Sequence, residues 1–214
     1  MSKLHFKMME LGPIATNAYL IWKENSEEAV LIDAPPDCSA EVNYELKKEG
    51  LRLSEIWLTH GHWDHMAGAK ELAENDVKVY GHQDDQLMFE QPEVMSAFAI
   101  PGLNLQPIEI SNWVEQGDQL DFLGSKAEVR HCPGHCPGNV IFWFGDESLC
   151  FVGDVIFREG VGRYDLPGGD FNQLEKSILN NIFTLPGETK LLSGHGPITT
   201  VNHEIKSNPF VRPV

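Results

Sequence analysis

Thr59-His60-Gly61-His62-Trp63-Asp64-His65 is the stretch from which the rest of the chain is read. Three imidazoles and one carboxylate fall between positions 60 and 65, directly after the apolar run Ile56-Trp57-Leu58. Extended backbone points alternate side chains the same way, so His60 and His62 can face one point. Asp64 and His65, one step further on, can reach a second point beside it. These residue types at this spacing indicate part of a two-metal site, whose remaining ligands must come from elsewhere in the chain.

Upstream, Leu4 to Leu11 and Ala18 to Trp22 read as strands joined by a turn at Gly12-Pro13. Ala29 to Asp33 is an apolar strand ending in an acid, and Pro35-Pro36 stops it. Ser39 to Glu49 has helical spacing, with Val42 and Leu46 on one face, Ser39 as cap and Gly50 as stop. Ile56 to Leu58 is the next buried strand and Ala67 to Glu74 a helix. The histidine-rich loop therefore lies between a strand end and a helix start, where open α/β architectures form their sites.

Downstream, Val77 to Tyr80 is a short strand, and Asp84 to Ile100 a weakly patterned helical or loop region. Strands are expected at 120–123, 127–131, 140–144 and 149–152, and again at Lys190 to Ser193. Asp170 to Phe183 is the clearest amphipathic helix, with Leu174, Ile178, Leu179 and Ile182 on one face. Each half thus runs through strands, a metal-type loop and a helix. The expected architecture is α/β, a single domain over residues 1–214 in which two sheets form a sandwich with helices outside.

At 214 residues the chain can bury one substantial core. Its formal charge is −16, from 32 acids against 16 bases, which disfavours nucleic acid as a partner because phosphates are bound through Lys and Arg. Neither a signal peptide nor a run of roughly 20 apolar residues is present, so no membrane association and a cytoplasmic location are expected. Cys38, Cys132, Cys136 and Cys150 contain no C-x-x-C pair and do not resemble a secreted disulfide framework. Cys132 and Cys136 flank His135, where a thiolate ligand and a small packing residue are both readings.

Three further ligand candidates sit at expected strand ends. His135 lies in the Gly- and Pro-punctuated loop His131-Cys132-Pro133-Gly134-His135-Cys136-Pro137-Gly138. Asp154 follows Cys150-Phe151-Val152-Gly153, and His195 lies in Gly194-His195-Gly196-Pro197. Glycine at such loops lets backbone approach a bound group closely. Asp33 and Thr59 are candidates for holding the imidazoles from behind, with strand cap and backbone-bonded hydroxyl as equal alternatives. His131 is a further candidate for that role. His5, His82 and His203 lack ligand spacing, and His82 is weighed as a pocket-lining residue.

Taken together, THGHWDH, GHCPGH, Gly153-Asp154 and the GHGP around His195 resemble the metallo-β-lactamase superfamily, with the motifs in order from Thr16-Asn17-Ala18-Tyr19-Leu20 to Pro197. The resemblance implies an αββα sandwich with two mixed sheets flanked by helices. It also implies two divalent metal ions, zinc foremost, though imidazole and carboxylate suit iron and manganese as well. By that likeness His60, His62 and His135 hold one ion, Asp64, His65 and His195 the other, and Asp154 bridges them. A shared hydroxide would be the nucleophile, oriented by Asp64, so no Ser or Cys nucleophile is required.

Gly153 to Arg163 and the continuation Tyr164 to Asp170 resemble the glyoxalase II group, the hydroxyacylglutathione hydrolases, in their short single-domain form. That likeness implies cleavage of a thioester such as lactoylglutathione, with Arg163 and Tyr164 binding substrate. Asp165 stands where the larger enzymes carry an aromatic, and the chain stops soon after His195, without their C-terminal helical domain. Arg163 equally fits a structural salt bridge. A one-iron persulfide dioxygenase and an ester or lactone hydrolase of the same fold are the alternatives.

Overall fold

The computed structural model describes residues 3–73 and 76–213. The chain divides into two compact units, Met1–Trp113 and Val114–Val214.

In the first unit, β1 (Leu4–Leu11), β2 (Thr16–Lys23), β3 (Glu28–Ile32), β4 (Arg52–Trp57), β5 (Lys78–His82) and β6 (Asn112–Val114) form one sheet in chain order. β1 to β3 pair antiparallel, whereas β3, β4 and β5 are parallel. The parallel register sets Ile32 beside Trp57, so the residues just beyond both strands, Asp33 and Leu58-Thr59, emerge at the same sheet end. Helix α1 (Ser39–Glu49) connects β3 to β4 and buries Val42 and Leu46 against Leu31, Ile56 and Leu58. It begins after Cys38 with no side-chain cap, so Ser39 is not the cap expected of it, while Gly50 ends the helix at φ +70° as anticipated.

A continuous helix over 67–74 does not form. α2 (Trp63–Met66) and α3 (Ala69–Leu72) are separate single turns, and Glu74 lies outside the described residues. Gly68 is the break: its N–H donates to Ala34 O, and a Cβ there would lie 2.2 Å from Pro35 O. Close backbone approach overrides helical periodicity at this point. The 84–100 stretch folds into short turns around α4 (Gln86–Glu90), with Phe89 and Met95 buried.

In the second unit, β7 (Gln119–Phe122), β8 (Ser125–His131), β9 (Val140–Phe144) and β10 (Leu149–Gly153) form an antiparallel run. A small hairpin, β11 (Ile156–Phe157) with β12 (Gly160–Val161), follows. β13 (Lys190–Ser193) adds parallel to β10, and β14 (Thr199–Thr200) completes the order β14-β13-β10-β9-β8-β7. The parallel β10/β13 pair brings two strand ends together, with Gly194 N–H donating to Gly153 O at 2.8 Å.

The expected helix over 170–183 is α5 (Phe171–Ser177), capped by Asp170, running into a π-type turn over Ile178–Ile182. Its predicted face is the buried one: Leu174, Ile178 and Ile182 pack on Ile141, Cys150, Val152 and Leu191. A last helix, α6 (Val201–Ser207), was not expected. Among the described residues, no helix is long and apolar enough to cross a membrane.

Candidate metal centre

The first unit gathers His60, His62, Asp64 and His65 just beyond β4, all of them buried. The His60 ring centroid lies 4.8 Å from that of His62 and 4.1 Å from that of His65. Alternation along extended chain brings the first pair together. The α2 turn, which starts at Trp63, brings Asp64 and His65 back beside them.

Asp33 organises this group. It occupies the left-handed region at φ +60°, and its carboxylate accepts from Thr59 N–H at 2.8 Å, from Thr59 Oγ1 at 2.8 Å and from His65 Nδ1 at 2.8 Å. With its hydroxyl proton given to Asp33, Thr59 Oγ1 accepts from His60 Nδ1 at 3.0 Å. Both rings therefore carry the proton on Nδ1, and the Nε2 lone pair is the one presented for ligation. The expectation that Asp33 and Thr59 hold the imidazoles from behind is met.

Two further supports carry no signal in the sequence. Thr16 Oγ1, buried at the start of β2, donates to Asp64 Oδ2 at 3.1 Å, and the buried Asp85 accepts Gly61 N–H at 2.8 Å. Thr16 lies in the stretch that carries the family likeness, but nothing in its spacing marks it as a partner of Asp64. Asp85 sits in a weakly patterned region and takes up a backbone amide. His82 Nδ1 accepts Asp84 N–H and so caps its own turn, while His5 stacks on Trp22.

The second unit gathers His135, Asp154 and His195. The 131–139 loop is pinned on several sides. Cys132 N–H donates to Asn139 O, His131 Nε2 donates to Pro137 O at 2.7 Å, and Ser177 Oγ donates to Pro133 O at 2.7 Å. Gly134, at φ +130°, meets α5 so closely that a Cβ would lie 2.2 Å from Leu174 N. His131 thus ties the ends of the ligand loop.

His135 Nδ1 donates to the carbonyl of Arg163 at 2.7 Å, again leaving Nε2 as the presented atom. That nitrogen lies 3.7 Å from Asp154 Oδ2, and His195 Nε2 lies 3.5 Å from the same oxygen. Both distances exceed an N–H···O hydrogen bond. They suit ligands of an ion, since two atoms about 2.0–2.1 Å from a tetrahedral zinc stand roughly 3.3 Å apart. His65 Nε2 and Asp64 Oδ2, 3.2 Å apart in the first unit, also stand close to that ligand–ligand spacing. The donor set of imidazoles and carboxylates, buried except for the partly exposed His195 and with Nδ1 of His60, His65 and His135 held from behind, fits a divalent metal.

Cys132 and Cys150 are fully buried under α5, and burial pushes the Cys132 thiol up to about 12, in keeping with the packing reading of that residue. None of the four cysteines is in a disulfide. Arg163 is exposed, and its guanidinium grips Asp165 with two hydrogen bonds of 2.9 and 3.0 Å. Tyr164 is also exposed, its ring 5.0 Å from that of Phe171.

The profile of the metallo-beta-lactamase superfamily matches residues 11–195. A probable metallo-hydrolase of Bacillus subtilis is 34% identical over 209 residues, spanning 97% of this chain and 98% of its own length. A hydroxyacylglutathione hydrolase of Haemophilus influenzae is 32% identical over 212 residues, spanning 97% and 98%. The solved structure of TTHA1623 in a di-iron-bound form superposes with a TM-score of 0.83 at 38% identity, covering 96% of this chain and 100% of that one. With its two mixed sheets, its helices and its histidine-rich strand ends, the chain belongs to the metallo-beta-lactamase superfamily as a metal-dependent hydrolase.

Proposed function

We propose that this hydrolase cleaves the thioester of a 2-hydroxyacylglutathione, of the lactoylglutathione kind, with water giving a hydroxyacid and a thiol. Two divalent ions would be held by His60, His62, Asp64, His65, His135, Asp154 and His195. The observation that carries the metal chemistry is the shared target of His135 Nε2 and His195 Nε2, a single carboxylate oxygen of Asp154. The named activity of the Haemophilus influenzae relative supports the thioester as substrate.

When bound, the ions supply an activated water and a Lewis acid for the acyl carbonyl. The chain's own part is to fix the ligands. Asp33 and Thr59 hold His65 and His60, the Arg163 carbonyl holds His135, and Thr16 holds Asp64. Asp64 also orients the attacking water. The Arg163 guanidinium, with Tyr164 beside it, receives a substrate carboxylate in exchange for Asp165. Zinc is the expected ion, and iron is supported by the di-iron-bound neighbour. The acidic surface leaves a small molecule, not nucleic acid, as the partner, acting in the cytoplasm.

Purified protein reconstituted with zinc or iron should release thiol from lactoylglutathione, followed with a chromogenic thiol reagent. No thiol release from any of a panel of acylglutathiones overturns the assignment.

A further inference from the structure

The hairpin between Asp154 and Arg163 has two feet and a tip, and each is fixed by something different. One foot is Asp154, just before β11. The other is Gly162-Arg163, just after β12, whose Arg163 carbonyl orients His135. The feet touch closely: a Cβ on Gly162 would lie 1.8 Å from Asp154 O and 3.0 Å from His135 Nδ1. Ser193 Oγ donates to Ile156 O at 2.7 Å and anchors the hairpin near the first foot.

The tip is held by α6. Glu204 is fully buried in the second unit. Its Oε2 accepts Glu159 N–H at 2.9 Å and Asn208 Nδ2 at 3.0 Å, while Oε1 accepts Thr199 Oγ1. Asn208 Nδ2 also donates to Gly160 O at 3.0 Å, so Glu159 in the turn and Gly160, the first residue of β12, are both gripped. Glu159 itself sits at φ +58°, an uncommon conformation for a residue with a side chain, and the surrounding bonds hold it there.

A buried carboxylate is costly unless satisfied, and this one is satisfied by the tip of a loop whose feet carry the chemistry. We infer that Glu204, with Asn208, is a positioning residue for Asp154 and His135, acting through the Ile156–Val161 hairpin on metal affinity. The inference rests on the ligand roles proposed above for those two residues.

The test is zinc affinity by chelator competition on the folded full-length protein, together with amide exchange at Glu159 and Gly160 in the metal-free state. Glu204→Ala should weaken zinc binding, by at most the roughly 10- to 100-fold seen when a partner directly behind a ligand is lost, and accelerate exchange at the Glu159 amide it accepts, with Gly160 following as the hairpin loosens. Glu204→Gln keeps an oxygen for Glu159 N–H and should restore affinity to within a few-fold of the wild type. Leu46→Ala, which loosens the core of the first unit, controls for general destabilisation and should leave zinc affinity unchanged. If Glu204→Ala does not fold, Asn208→Ala carries the same expectation in weaker form. Unchanged affinity in folded Glu204→Ala or Asn208→Ala overturns the inference while leaving the hydrolase reading intact. A wild-type chain that binds no zinc or iron overturns that reading, and this inference with it.

Discussion

Asp33 is the side chain whose replacement separates ligand orientation from fold stability. Alanine there leaves Thr59 N–H and His65 Nδ1–H without their acceptor, since the Thr59 hydroxyl can turn elsewhere. Two buried donors unsatisfied at about 1–3 kcal/mol each give a loss of about 2–6 kcal/mol. Alanine at φ +60° adds about 1 kcal/mol more. Asn tolerates that conformation and still accepts from Thr59, so Asp33→Asn should lose only about 1–2 kcal/mol. Its amide NH2, however, now faces a nitrogen that donates. His65 escapes by moving its proton to Nε2, the atom meant for the metal. Asp33→Asn should therefore keep most of its stability, yet lose zinc affinity by roughly 10- to 100-fold, as Asp33→Ala does. Thermal unfolding, chelator competition and imidazole 15N shifts of the metal-free protein read the three quantities. An Asp33→Asn protein that keeps His65 as the Nδ1–H tautomer and binds zinc like the wild type would refute the reasoning.

Gly162→Ala forces a Cβ to within 1.8 Å of Asp154 O, whereas at Gly160 the nearest atom is 3.6 Å away. The first should cost about 3 kcal/mol or more and the second about 1 kcal/mol or less, read by denaturant unfolding. The buried thiols of Cys38 and Cys132, pushed up to about 12, should be inert to a thiol reagent at pH 8 until the protein unfolds; rapid native labelling contradicts this. Folded thiols keep protons that unfolded ones lose near 9, so this contribution to stability is full below that pH and falls as pH rises toward about 12. Because the Arg163–Asp165 pair is exposed, freeing Arg163 with Asp165→Ala should lower KM for an acidic acylglutathione only a few-fold, with kcat and the KM of a neutral thioester unchanged. A rise in KM would show that the pair itself builds the site.

The sequence announces candidate ligands more clearly than it announces what holds them. His60, His62, Asp64 and His65 are legible because strand alternation and one helical turn are short-range rules. His135, Asp154 and His195 stand at strand ends for the same reason. Asp33 is visible as an acid stopping an apolar strand. Thr16, Asp85 and Glu204 are not, because each acts across 24 to 48 residues through hydrogen bonds that leave no periodic trace. The helix misread over 67–74 fails at Gly68, where contact with Pro35 outweighs propensity. α6 carries no sequence signal because its seven residues bury only Val201 and Glu204, too few for an apolar stripe.

Titration of metal-free protein with zinc, while thiol release from lactoylglutathione is followed, tests the central claim most directly. Hydrolysis should rise until two ions are bound per chain, vanish on chelation and return on readdition. Full hydrolysis at one ion per chain, or hydrolysis indifferent to the metal, would contradict it.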